Sequence, residues 1–175
     1  YLRVFQPTLY EVGRLWENDI ISVAVEHFCT AATQMIMSQL YPILFSNRAK
    51  KNGLSMAGCC VGNELHEVGL RMVCDFFEMH GWDTNFMGSN CSAEAILNNV
   101  ASCHVLCLSV TMYHNIGKAK KTIEEIKHRF PDIIVLVGGY SISQNPELVQ
   151  HLGADGTADN AEKAVALAFS LVNNN

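Results

Sequence analysis

The sequence is short of basic residues and of long apolar runs, and each shortage excludes a class of protein. Only 17% of its 175 residues are charged, and the formal net charge is −5 at pH 7. Because phosphate binding needs a basic surface, we expect no direct contact with nucleic acid from this chain. No apolar run approaches the length of a bilayer span and no signal peptide is visible, so we expect no membrane anchor.

The seven cysteines lack the spacing of a disulfide framework or of a zinc site. There is no C-x-x-C motif, and Cys59, Cys60 and Cys107 lie in apolar runs that are typical of buried strands. We therefore expect reduced core thiols and a cytoplasmic protein. Because Tyr1 already lies in a helical pattern, we also expect the chain to be a fragment of a longer protein.

Residues 1–45 carry apolar side chains at helical spacing and predict two helices. The apolar positions of the first helix are Leu2, Phe5, Leu9, Val12, Leu15 and Trp16. The second starts at about Ser22, and Pro42 is expected to end or bend it near Tyr41. Two helices cannot bury their apolar faces alone, so we expect a partly truncated helical bundle that packs on further helices, on the next domain, or on both.

Residues 46–53 are polar and end in a glycine, which is typical of a linker, and residues 54–175 have a different pattern. There, apolar runs alternate with amphipathic segments. The expected strands are 54–61, 82–87, 104–110, 133–137 and a very short one near Ala154. The expected helices are about 65–80, 93–102, 116–129, 146–152 and 160–172. Ser92 is expected to cap the second of these helices, and Asp159 with Glu162 has capping-box spacing for the last.

This alternation predicts an α/β fold, in which a helical cap precedes a Rossmann-like, doubly wound parallel sheet of five strands. Ligands on such sheets lie at the carboxyl ends of the strands. The chemically informative residues of this chain follow the expected strands: 62–69 after the first, 109–115 after the third and 138–141 after the fourth.

Glu64, His66 and Gly69 form the first candidate cluster. A histidine early in a βα turn can bind a metal through its neutral ring while a carboxylate accepts from the other ring nitrogen. Glu64 lies two residues before His66, close enough for that role, and Gly69 lets the backbone pass close to a bulky planar ligand. Taken alone, this short motif is better explained by a surface histidine beside acidic residues at a helix start than by a metal ligand.

Trp16, Glu26 and His27 form the second cluster, a tryptophan followed after nine residues by a Glu-His pair. A large flat indole can shield a reactive bond from water, and a carboxylate can accept hydrogen bonds from sugar hydroxyls. The alternative is a core tryptophan at a helix end beside a solvated Glu-His pair.

In this order, the two clusters resemble the cobalamin-binding domain of CarH-type light-responsive regulators, within the superfamily of methionine-synthase-like corrinoid-binding domains. Glu64-x-His66-x-x-Gly69 resembles the D-x-H-x-x-G signature, Ser109-Val110-Thr111 matches the S-x-L motif in part, and Gly138-Gly139 matches the Gly-Gly motif. The resemblance spans nearly the whole chain. It implies adenosylcobalamin bound base-off, with His66 as the cobalt ligand. The cofactor-contacting residues that it implies are Trp16, Glu26, His27, Asn63, Glu64, Leu65, His66, Glu67, Val68, Gly69, Ser109, Thr111, Gly138, Gly139 and Tyr140.

Three residues depart from the family pattern. Thr111 stands where the family has leucine, and the bulky Tyr140 follows the glycines, so both could narrow the slot for the displaced dimethylbenzimidazole tail. Glu17 follows the tryptophan where the light receptors have a histidine that becomes the second axial ligand after photolysis. A stable bis-histidine photoproduct is therefore in doubt unless His27 or another residue takes the place of that histidine as the second axial ligand.

The resemblance implies a sensory module and not an enzyme. Ligand or light would change its packing and oligomeric assembly, and its output domain would lie outside this chain. The alternative is a corrinoid carrier for methyl transfer, which usually has Asp two residues before the histidine and lacks the Trp-Glu-His pattern. A third interpretation is a doubly wound interaction domain that has lost its cofactor. His114 and Asn115 could touch a cofactor, although loop polarity explains them equally well.

Overall fold

The computed structural model describes residues 1–46 and 48–174, which divide into two compact units, Tyr1–Arg48 and Ala49–Asn175. The first unit holds helix α1 (Phe5–Glu17) and helix α2 (Val23–Ser46). Within the described ranges, no helix has both the length and the apolar character that crossing a membrane requires.

Of the two outcomes predicted from Pro42, an end or a bend near Tyr41, the end was wrong, because helix α2 continues to Ser46. A proline inside a helix forfeits one backbone hydrogen bond, to the carbonyl four residues earlier. The turn beyond Pro42 is supported by the stacked rings of Tyr41 and Phe45, whose centroids lie 5.4 Å apart. Side-chain packing at the i, i+4 spacing stabilises this last turn, although by less than an interior proline destabilises a helix.

The second unit is an α/β domain in which strands and helices alternate along the chain. Its strands are β1 (Ser55–Val61), β2 (Asp83–Cys91), β3 (Val105–Ser109) and β4 (Ile134–Gly138), and its helices are α3 (Val68–Met79), α4 (Ala93–Val100), α5 (Ile116–Arg129), α6 (Tyr140–Gln144), α7 (Leu148–Leu152) and α8 (Ala161–Asn173). A 3₁₀ turn, Tyr113–Asn115, precedes α5. All strand pairs are parallel, and the strand order is β2-β1-β3-β4.

Alternate side chains of each central strand enter two separate cores, one on each face of the sheet. Leu106 and Leu108 of β3 pack in one core, which α4 and α5 cover with residues such as Ile96 and Ile123. Cys107 of β3 packs in the other core, which α3 and α8 cover. Strands buried on both faces read as continuous apolar runs, which is why β1, β3 and β4 were predictable from the sequence.

The sheet has four strands in the described residues, and the prediction of a fifth strand near Ala154 was wrong. That segment makes a single parallel bridge, Leu136↔Gly156. Gly153 ends α7 in a left-handed conformation with φ +71°, and Asn160 already caps α8. Between these two ends, the pairing with β4 is limited to the bridge at Gly156.

The ends of two elements also differ from the prediction, and one helix is additional. Helix α3 begins at Val68, three residues later than expected, because residues 62–67 form an irregular loop. Strand β2 extends to Cys91, beyond the expected end at residue 87, and its pairing with β1 contains two register shifts. Helix α6 follows β4 directly and was not predicted.

Candidate functional site

Hydrogen bonds involving two asparagines in the left-handed conformation join the loop after β1 to the end of β2. Asn63 has φ +69° and Asn90 has φ +53°. The Asn63 backbone N–H donates to Asn90 Oδ1 at 2.8 Å, and the Asn90 backbone N–H donates to the Glu64 carbonyl at 2.9 Å. Asparagine tolerates this conformation better than most residues, so its presence at both positions suits the turn.

Glu64 is fully buried at the carboxyl ends of β1 and β3, and one of its oxygens holds the histidine. The His66 ring nitrogen Nδ1 lies 2.6 Å from Glu64 Oε1, and the His66 backbone N–H donates to the same oxygen at 3.3 Å. The His66 side chain is 46% exposed, whereas that of Glu64 is 0% exposed. The predicted Glu64–His66 pair is thus in contact in the structure.

The other carboxylate oxygen is bound by the segment that follows β3. Glu64 Oε2 accepts from the backbone N–H groups of Thr111 at 2.9 Å and Met112 at 2.8 Å, and from Asn115 Nδ2 at 3.2 Å. A carboxylate that accepts several such bonds can remain ionised in a buried site. Glu64 therefore joins the loop after β1 to the loop after β3.

The pKa of Glu64 decides the tautomer of His66. Burial opposes ionisation of Glu64, but hydrogen bonds from the His66 side chain, the Met112 and His66 backbone and the Asn115 side chain outweigh it and lower the pKa to about 2. An ionised carboxylate can only accept, so His66 Nδ1 carries the proton of this bond. In the neutral ring, Nε2 is then the atom with a lone pair for a metal.

The ends of β3 and β4 approach each other closely at Gly139. This glycine has φ +103°, and a Cβ placed on it would lie 2.4 Å from the Val110 carbonyl oxygen. The Ser141 hydroxyl donates to the Thr111 carbonyl at 2.7 Å, which ties the start of α6 to the same loop. Only glycine permits this backbone contact.

Space next to two other predicted glycines is open. A Cβ added to Gly69 or to Gly138 would meet no atom within 4 Å. Gly138 pairs in register with the buried Ser109, and Tyr140, the first residue of α6, is 43% exposed. Neither Gly69 nor Gly138 is therefore closely packed on the side where a Cβ would lie.

The remaining predicted residues of this loop divide between surface and core. Leu65 is 68% exposed, although it is a large apolar side chain. Val68 is buried as the first residue of α3 and so has a packing role. A carboxylate oxygen of Glu67 lies 3.4 Å from where a Cβ on Gly88 would be. Leu65 is therefore the member of this group that is presented to solvent.

A buried thiol lies beneath the histidine-bearing loop. Cys60 Sγ donates to the His66 carbonyl at 3.6 Å. Burial raises the pKa of the Cys60 thiol to about 12, and the negative charges of Glu64 and Glu67 add to this effect. The thiol therefore stays protonated at neutral pH and is a poor metal ligand, so it supports the loop and does not compete with the imidazole.

The second predicted cluster lies in the helical unit. Trp16 is the penultimate residue of α1 and is 38% exposed. Glu26 and His27 lie in the first turns of α2, where Glu26 Oε1 accepts from the Thr30 hydroxyl at 2.8 Å. His27 Nε2 lies 3.6 Å from Glu26 Oε2.

Three residues that the structure adds to the site had no assigned role in the sequence. Asn90 and Met112 gave no signal, because one acts by its position at the end of an edge strand and the other by its backbone N–H alone. Asn115 gave a weak signal, as a polar residue in the loop after β3. All three act through contacts with residues far away in the sequence.

Several solved structures share this fold. The monomethylamine corrinoid protein of Methanosarcina barkeri is 21% identical over 93% of this chain and 78% of that chain, with a TM-score of 0.81. A cobalamin-binding protein from Desulfitobacterium hafniense DCB-2 is 20% identical over 95% and 79%, with a TM-score of 0.63. The methanol:cobalamin methyltransferase complex of Methanosarcina barkeri is 17% identical over 95% and 64%, with a TM-score of 0.65. At these identities the likeness establishes the fold.

Comparison with protein families gives the more specific result. No match is found among curated proteins. A family model described as a B12 binding domain matches residues 55–166, which is more than half of the chain. A second model, also described as a B12 binding domain, matches residues 1–41 in the helical unit. The chain therefore belongs to the B12 binding domain family.

Proposed function

We propose that this chain binds adenosylcobalamin with His66 Nε2 on the cobalt and acts as a sensory module rather than as an enzyme. The observation that carries the proposal is the 2.6 Å contact between His66 Nδ1 and the buried, ionised Glu64. This bond holds the tautomer that leaves Nε2 as the ligand atom, and it increases the basicity of the ring.

The residues of the site fit a corrinoid better than a free metal ion. In the described residues, no group of three or more His, Cys, Asp or Glu side chains could hold an ion. A corrin ring already supplies the equatorial nitrogens of its cobalt, so one axial imidazole is enough. No atom lies within 4 Å of a Cβ placed on Gly69 or on Gly138, so neither glycine obstructs the approach of a bulky ligand.

Trp16, Glu26 and His27 support the adenosyl form of the cofactor. Adenosylcobalamin supplies a weak cobalt–carbon bond that light can break. In this proposal the Trp16 indole shields that bond from water, and the Glu26 carboxylate accepts from the ribose hydroxyls. The exposed indole, the partly buried Glu26 and the exposed His27 are compatible with these roles.

A corrinoid carrier for methyl transfer is the second candidate. The two Methanosarcina proteins with this fold are a monomethylamine corrinoid protein and a methanol:cobalamin methyltransferase complex, which favours this alternative. A carrier would also need His66 on the cobalt, so the lower site does not distinguish the two functions. The difference lies in the upper ligand and in Trp16.

The first experiment tests cofactor binding. The protein is mixed with adenosylcobalamin in the dark and desalted, and its absorption spectrum is recorded with His66→Ala and, as a matched control, His128→Ala. We expect the wild type and the control to retain the cofactor. His66→Ala should retain about tenfold less, because it loses the axial ligand. Equal retention by His66→Ala would contradict ligation by this residue.

The second experiment separates the sensor from the carrier. We expect Trp16→Ala to weaken retention of adenosylcobalamin by about tenfold and that of methylcobalamin much less, because only the larger ligand needs the indole. Size-exclusion chromatography before and after green light should show a change of oligomeric state. Equal losses for both ligands, with no change of assembly in light, would favour the carrier.

A further inference from the structure

Asn115 is a fully buried carboxamide whose two polar atoms have different environments. Its Nδ2 donates to Glu64 Oε2 at 3.2 Å. Its Oδ1 is buried and has no hydrogen-bond partner in the described residues. An unpaired buried acceptor is destabilising, so the Oδ1 atom of Asn115 does not stabilise the fold.

Asn115 lies at the start of α5. It joins the 3₁₀ turn to α5 with right-handed helical dihedrals, φ −88° and ψ −6°, and not with the extended dihedrals of a capping residue. Here the side chain makes no capping bond and turns to the carboxylate. Its side-chain hydrogen bond is made instead to a residue 51 positions earlier in the chain.

The contact restrains the Glu64 carboxylate from a second element. The N–H groups of Thr111 and Met112 belong to the segment just after β3, whereas Asn115 lies at the start of α5. Donors from both segments converge on Oε2 and limit rotation of the carboxylate. As a result, the other oxygen, Oε1, stays directed at His66 Nδ1.

We infer that Asn115 is a positioning residue for cobalamin binding, acting through Glu64 to hold the His66 ring in the orientation and tautomer that present Nε2 to cobalt. This inference rests on the proposed function for the role of His66. The alternative is that Asn115 only stabilises the fold by donating to a buried carboxylate.

The test uses the full chain with Asn115→Leu, which keeps the branched shape of the side chain, and Asn115→Ala. The matched control is Asn99→Ala, which also removes an asparagine that donates one hydrogen bond, from Nδ2 to the Ala95 carbonyl, on the exposed face of α4. The first readout is nitrogen NMR of the imidazoles without cofactor, with His66 assigned by comparison with His66→Ala. The second is the electron paramagnetic resonance spectrum of bound cob(II)alamin, in which one axial nitrogen splits each cobalt line into a triplet.

We expect both Asn115 variants to lose the single Nδ1-protonated tautomer of His66 in the cofactor-free protein. Their triplet should weaken, and their cobalamin retention should fall by about tenfold. Asn99→Ala should match the wild type in each readout. An unchanged His66 tautomer and an unchanged triplet would overturn the inference, as would failure of both variants to fold, since that would show a role in stability alone.

The failure of the proposed function would look different. If the wild type retained no cobalamin, the proposed function would fail. The imidazole spectra would still test whether Asn115 sets the tautomer of His66. If the wild type retained cobalamin with a triplet and the Asn115 variants did the same, only the inference would fail.

Discussion

At the scale of single residues, the site is organised around a carboxylate that water does not reach. Glu64 accepts hydrogen bonds from two loops, and the donors lower its pKa from 4.5 to about 2 against the effect of burial. A carboxyl group with a lowered pKa contributes stability above its unfolded pKa and loses it as the pH falls through its folded pKa. Glu64 should therefore stabilise the protein at neutral pH and not in strong acid.

We predict that Glu64→Gln lowers the free energy of unfolding of the cofactor-free protein by about 2 kcal/mol at neutral pH, because buried donors lose their charged acceptor. The difference from the wild type should narrow as the pH falls from 4.5 towards 2. Chemical denaturation across this range measures it, with the exposed Glu124→Gln as the control. A difference that stayed constant with pH would show that folding does not lower the pKa of Glu64.

Gly139 allows a second prediction at this scale. Gly139→Ala should lower the free energy of unfolding by at least about 2 kcal/mol, because φ is +103° and the added Cβ would meet the Val110 carbonyl. Gly117→Ala is the control, since this helical glycine has open space around it. It should instead raise stability by about 0.5–1 kcal/mol through helix propensity. Thermal unfolding of both variants checks that Gly139→Ala lowers the stability and that Gly117→Ala raises it.

At the scale of elements, helix starts were predictable where the cap was local and unambiguous. Ser92 caps α4 by accepting from the Ala95 N–H at 3.2 Å, as predicted. The capping box of Asp159 with Glu162 was wrong, because α8 is capped by Asn160, which accepts from the Lys163 N–H at 3.0 Å. Asp159 pairs instead with the Lys163 ammonium group on the surface.

We expect Asn160→Ala to lower the free energy of unfolding by about 1 kcal/mol, the usual effect of losing an N-cap. Asp159→Ala should change it by less than about 0.5 kcal/mol, because exposed ion pairs contribute little. Denaturant titration of the two variants compares the adjacent positions directly. The reverse order of effects would restore the capping-box assignment.

At the scale of the whole molecule, the doubly wound sheet determines the environment of the cysteines. All seven are free, and five of them are buried in the α/β unit: Cys59, Cys60, Cys74, Cys91 and Cys107. Burial is the main cause of the raised pKa of Cys74 and of Cys107, whose pKa is about 12, so these thiols are unreactive as well as inaccessible.

We predict that a thiol-specific reagent labels only Cys29 and Cys103 quickly in the folded protein, since these two are partly exposed. All seven cysteines should react once the protein is unfolded by denaturant. Mass spectrometry of the labelled protein counts the modified thiols in each state. Rapid labelling of Cys60 or Cys107 in the folded protein would show that the core under α3 and α8 opens under native conditions.

Much of the architecture was predictable because it depends on local pattern. Strands buried on both faces give continuous apolar runs, so β1, β3 and β4 were found near their observed places. The Glu64–His66 contact was also predictable, because two residues separate its partners and the loop cannot hold them far apart. The roles of Trp16, Glu26 and His27 at the cofactor stay predictions.

Contacts between residues distant in the sequence could not be predicted, because they depend on the strand order and no local sequence pattern indicates that order. The order β2-β1-β3-β4 places the end of β1 beside the ends of β2 and β3, so Asn90, Met112 and Asn115 reach the Glu64 loop. The donors on Glu64 Oε2 lie 47 to 51 residues away in the sequence. The same folding confines residues near Ala154 to a single bridge. The sequence therefore specifies the histidine and its carboxylate partner, whereas the packed sheet supplies the donors that keep that carboxylate ionised and oriented.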